Sequence, residues 1–168
     1  MIFTDSQMKQ LAKTMLILGF LSWVHFSCSD DDGPQKTAEE LAIEILAGSS
    51  EQTWSISGGG SVSRDGTSLT NNYSDFEIKF RNRGSAGLNY ETVGSGGLFD
   101  PSGSWTLEGE NYNRLRLSGI QPVANRDILY ERVGTDLRLE FTVPNPSSAS
   151  ARVEALVGFY VFTLKPKQ

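Results

Sequence analysis

Cys28 is the single thiol of this chain, and the residues around it change character abruptly. An apolar stretch from Met15 to Phe26 precedes it, Ser27 adjoins it, and Ser29-Asp30-Asp31-Asp32 comes directly after. A lone cysteine in an exported chain has no disulfide partner and is therefore a candidate for covalent modification. The rest of the reactive inventory is sparse. The one histidine, His25, lies upstream of Cys28. If the chain is cut before Cys28 and the thiol is capped, no imidazole or free thiol remains for Ser-His-Asp or Cys-His catalysis, or for a zinc site built from those ligands. Carboxylates are the remaining apparatus. Glycoside hydrolysis needs two of them facing one cleft, roughly 5 to 10 Å apart. Glu108, Glu110, Glu131, Glu140 and Glu154 are present, but Glu140 alternates with apolar residues and is expected to point outward, so a solvated strand face is the preferred reading. Neither Asp30–Asp32 nor Asn71-Asn72-Tyr73-Ser74-Asp75 has the ligand spacing of a calcium loop. Gly58-Gly59-Gly60 lacks the Lys-Ser/Thr of a phosphate loop and reads as a bulge or loop. No catalytic residue, metal site or cofactor is expected.

The N-terminal segment has the parts of an export signal: Lys9 and Lys13, an apolar core of twelve residues, and a small residue before the cysteine. Twelve helical residues rise only about 18 Å, against about 30 Å of hydrocarbon in a bilayer. The stretch is thus expected to be a signal and not a span. It resembles a bacterial lipoprotein signal, with His25 where such signals usually carry leucine. That resemblance implies acylation of Cys28, palmitate among the chains, which becomes the first residue of the mature protein. Ser29-Asp30-Asp31-Asp32 resembles the export tag of Bacteroidetes-type surface lipoproteins and implies an outer-membrane protein that faces the cell exterior. The acyl chains would supply the membrane affinity. The acidic stretch to Lys36, with Gly33-Pro34, would act as a solvated tether.

The chain divides into three regions: a signal over residues 1–27, a tether over 28–36 and one domain over 37–168. Removing the signal takes away Lys9, Lys13 and Asp5, which leaves the mature chain one unit more negative than the −5 of the whole. An acidic domain without a basic stripe is a poor partner for nucleic acid. The 17 glycines mark turns and not disorder, because apolar residues recur regularly from Trp54 onward.

Thr37-Ala38-Glu39-Glu40 fits a capping box that opens a short amphipathic helix. Leu41, Ala42, Ile45 and Leu46 form its apolar face and Gly48 its stop. Its expected task is to cover an end or open side of the strands that come after it. Beyond Trp54 the period becomes two. Phe76, Ile78 and Phe80, then Leu115 and Leu117, then Leu137, Leu139, Phe141 and Val143 alternate with polar residues, as half-buried strands do. With residues 54–57, 88–93, 104–108, 128–132 and 152–164 they make eight strand candidates. Asp65-Gly66, Arg83-Gly84, residues 94–97, Asp100-Pro101-Ser102-Gly103, Gly134 and Pro144-Asn145-Pro146 separate them. The predicted fold is all-β: an eight-stranded antiparallel up-and-down barrel with a short N-terminal helix, or alternatively a two-sheet sandwich in which a long last strand bends at Gly158.

The order of Thr53-Trp54-Ser55-Ile56, Gly103-Ser104-Trp105-Thr106-Leu107 and Gly158-Phe159-Tyr160-Val161-Phe162 after a helix resembles small Bacteroidetes lipoproteins with lipocalin-like barrels. The likeness spans roughly residues 38 to 165. It implies a non-enzymatic surface protein that binds a small apolar or glycan ligand, in a context of nutrient uptake. The alternative is an interaction lipoprotein with a filled barrel that docks on another envelope protein. Trp54, Trp105, Phe76, Phe80, Phe141 and Phe159 are expected to face inward. Tyr73, Tyr90, Phe99 and Tyr112 lie beside turns, where rings can stand at a barrel mouth. Trp54, Tyr73, Tyr90, Phe99, Trp105 and Tyr112 are the ligand-binding candidates. Replacing Cys28 with serine is expected to abolish incorporation of labelled palmitate and to release the chain from the detergent phase on phase partitioning. Label retained by that variant would refute acylation at this thiol.

Overall fold

The computed structural model describes residues 35–145 and 155–167. The signal over 1–27, Cys28, Ser29, Asp30, Asp31 and Asp32, most of the tether, and residues 152–154 of the expected last strand lie outside the described residues. Among the described residues, no helix is long and apolar enough to cross a membrane.

The capping box forms as its residues require. Glu40 N donates to Thr37 Oγ1 at 3.1 Å and Thr37 N donates to Glu40 Oε2 at 2.7 Å, which satisfies two backbone donors that helix geometry leaves free. The helix α1 runs Ala38–Ala47, and Gly48 ends it by donating to Glu44 O at 2.9 Å. Its buried side is Ala42, Leu46 and Ala47, whereas Leu41, expected on that side, is exposed. The correction is a rotation of the buried stripe towards the last turn, where α1 meets the first strand. There the Trp54 indole N–H donates to Leu46 O at 2.8 Å, pinning α1 across one end of the fold.

The strands are β1 (Glu51–Ser55), β2 (Ser61–Arg64), β3 (Thr67–Ser68), β4 (Glu77–Asn82), β5 (Leu88–Val93), β6 (Ser102–Glu108), β7 (Arg114–Leu117), β8 (Ile128–Val133), β9 (Asp136–Val143) and β10 (Gly158–Pro166). Every pairing is antiparallel. The order β1-β4-β5-β6-β7-β8-β9-β10 closes on itself through β10 and β1, with Ser55 opposite Lys165 and Trp54 opposite Pro166. The result is a closed eight-stranded antiparallel barrel with one short helix, and not a sandwich. Closure leaves the sheet without a free end strand among the eight.

Two short strands have no clear sequence signal. β2 continues the path of β1 along the same neighbour: β10 pairs with β1 near its end and with β2 over Tyr160–Thr163. The break between them is the glycine run, which the sequence marks as a bulge or loop. Gly60 N donates to Ile56 O at 2.8 Å, and a Cβ on Gly60 would sit 2.7 Å from Thr163 O and 2.8 Å from Ile56 Cα. The first barrel strand is therefore folded over on itself at a point where only glycine fits. β3 then returns from β2 across the Asp65-Gly66 turn.

Leu137, Leu139, Phe141 and Val143 on β9, Leu115 and Leu117 on β7, and Ile78 and Phe80 on β4 point inward and are buried, as their alternation requires. Phe159 is a correction. Expected inward, it is 42% exposed, while Tyr160, Phe162 and Leu164 are fully buried. Residues of opposite parity on one strand cannot share a face, and the larger set of β10 takes the interior. The Gly60→Ala variant is expected to lose roughly 1 to 3 kcal/mol through overpacking at the fold in the first strand. The denaturation midpoint should fall with its slope unchanged, and an unmoved midpoint would contradict this close approach.

Candidate functional site

Six rings meet inside the barrel. Phe162 is their hub: its centroid lies 5.1 Å from Phe76, 5.4 Å from Tyr73, 5.7 Å from Phe99, 5.7 Å from Phe141 and 6.3 Å from Tyr160. Phe99 also packs edge-on against Phe141 at 5.5 Å and tilted against Phe76 at 5.2 Å. These separations are those of rings in contact. Nearer α1, Phe80 and Trp105 meet edge-to-face at 5.5 Å, and the Arg132 guanidinium lies 4.8 Å from the Trp54 ring centre, a cation–π contact.

Of the ligand-binding candidates, Trp54, Tyr73, Tyr90, Phe99 and Trp105 are each at most 5% exposed. Tyr73 and Phe99 do come from loops at the end opposite α1, as their turn neighbours suggested, but both rings turn into the barrel and join the Phe162 cluster. Tyr90 and Trp105 sit on neighbouring strands beside Gly103. A Cβ on Gly103 would lie 2.7 Å from the Tyr90 ring, so the glycine of Gly-x-Trp makes room for Tyr90 to donate to Ser118 O at 2.7 Å. The Trp105 indole donates to Asn89 O at 3.0 Å. Tyr112 is half-buried, with φ at +52°, and its carbonyl accepts from the Tyr130 hydroxyl. The structure thus brings Tyr73 and Phe99 together, keeps Trp54, Tyr90 and Trp105 as separately anchored core residues, and leaves Tyr112 apart.

The loop end is sealed by two interlocked loops. Leu98 and Phe99 enter from the β5–β6 loop, and Val123 enters from the β7–β8 loop, with Val123 N donating to Leu98 O at 3.1 Å. Asp100 binds the two loops together. Asp100 is 8% exposed, and its carboxylate accepts from Ile120 N at 3.0 Å and Gln121 N at 2.9 Å. Charge-assisted bonds of this kind are among the stronger ones. Ile120 is left 91% exposed at the loop tip. In the sequence Asp100 is marked only as part of a turn.

The grooves lie outside. One of about 580 Å³ is bounded by Arg116, Arg126, Asp127, Thr142 and Phe159. It shares Leu129 and Glu140 with a second of about 400 Å³ that reaches Tyr130, Glu131 and Arg138. Asn125 and Arg126 connect the first to a third, of about 480 Å³, around Ile120 and Pro122. Glu131 and Glu140, both glycosidase candidates, do converge here: Glu131 accepts from Arg138 Nη1 at 3.3 Å, and Glu140 forms an ion pair with the same nitrogen at 2.5 Å. One guanidinium therefore pairs with both carboxylates. Glu108 pairs with Arg116 at 3.1 Å, and Asp127 bridges Arg114 and Arg116 at 3.1 and 2.6 Å. Among the described residues, no three His, Cys, Asp or Glu side chains gather as metal ligands.

No family profile, curated protein or solved structure matches this chain.

Burial pushes the phenols of Tyr73, Tyr90 and Tyr130 up to about 12, with the Asp100 charge adding to the effect at Tyr90. The folded form therefore holds these protons more tightly than the unfolded chain, whose phenols ionise near 10. The stability they contribute is complete below pH 10 and is lost as the pH rises from about 10 towards 12. Melting temperature is expected to fall across that window, with absorbance at 295 nm rising mainly on unfolding. A native state that ionises these three phenols at pH 10 without melting would contradict their burial.

Proposed function

We propose that this chain is a lipid-anchored, non-enzymatic protein of the outer-membrane surface whose barrel is a solid support and whose recognition surface is its outside. On this reading Cys28 carries the acyl chains, Ser29 to Asp32 direct export, and the barrel docks on another envelope protein. The observation that carries it is the Phe162 cluster. An eight-stranded barrel has room for its own side chains or for one small ligand, and six contacting rings occupy the interior where a lipocalin-like protein would hold its ligand. Loops closed over Phe99 at one end, and α1 pinned by Trp54 at the other, support the same reading. The external grooves and their exposed apolar residues offer the surface through which such a protein would act.

The test uses the full chain in detergent and N-phenyl-1-naphthylamine, a small apolar probe whose fluorescence rises in a dry cavity. The parent chain is expected to show no saturable binding. Phe162→Ala should cost about 3 to 5 kcal/mol and open a cavity that takes the probe; Phe99→Leu, a milder change, keeps the comparison possible if the first variant does not fold. Saturable one-to-one uptake by the parent chain would overturn the filled-barrel reading and favour an internal ligand.

A further inference from the structure

We draw no further inference here: the strongest candidate, the β7–β8 loop tip that presents Ile120, 91% exposed, at the barrel end opposite α1, is one apolar residue, and nothing among the described residues shows what covers it.

Discussion

The fold depends on filling a small closed barrel. Eight strands enclose a space that must be occupied, because a void forfeits the dispersion contacts of every side chain around it. Phe162 meets that demand from the last strand, touching five other rings drawn from several parts of the chain: Tyr73 and Phe99 from loops, Phe76 just before β4, Phe141 from β9, Tyr160 from β10 itself. The cluster ties the loops to the wall. Phe99 reaches Phe162 from a loop whose next residue, Asp100, is held by backbone donors of the facing loop. The sealed mouth and the packed interior are one arrangement.

Closure imposes a second constraint. β10 must serve β9 along one edge and the first strand along the other, and its nine residues outrun the five of β1. The chain answers by folding the first strand at Ile56–Gly60 and resuming it as β2, so that β10 is paired over most of its length. At the other end Trp54 joins β1 to the α1 carbonyl of Leu46, which turns a short helix of marginal intrinsic stability into a fixed cover. The surface ion pairs, such as Arg81 with Glu51 and Glu91, add little to this; exposed pairs are worth about 0 to 1 kcal/mol.

On the filled-barrel reading proposed above, the surface left for a partner is the outside. There the outward rows of β7 to β10 are mostly charge-paired, as a solvated sheet face is, and the exposed apolar residues Leu129 and Phe159 stand among those pairs where β8 starts its pairing late. These departures from a satisfied surface coincide in one groove. The carboxylates Glu131 and Glu140 are held near one another by the Arg138 guanidinium between them.

Local physics was legible in the sequence. Period-two alternation located β4, β7 and β9, because each has one wet and one dry face, and apolar runs between turn signals located the other five barrel strands, although the last begins at Gly158 and not at residue 152. The capping box and Gly48 bounded α1, and glycine-containing turns separated the strands, because those structures are decided by neighbours a few residues apart. What tertiary structure decided are matters of parity, length and approach between distant segments. Phe159 and Phe162 are equally apolar, and only closure of β10 against β9 and β2 chose which faces inward. The ligand candidates Tyr73 and Phe99 look alike as turn aromatics, and only the packed barrel turned them into core. The groove at β9 had no sequence signature, since Leu129, Glu140 and Phe159 come from three strands and share it only once those segments lie side by side.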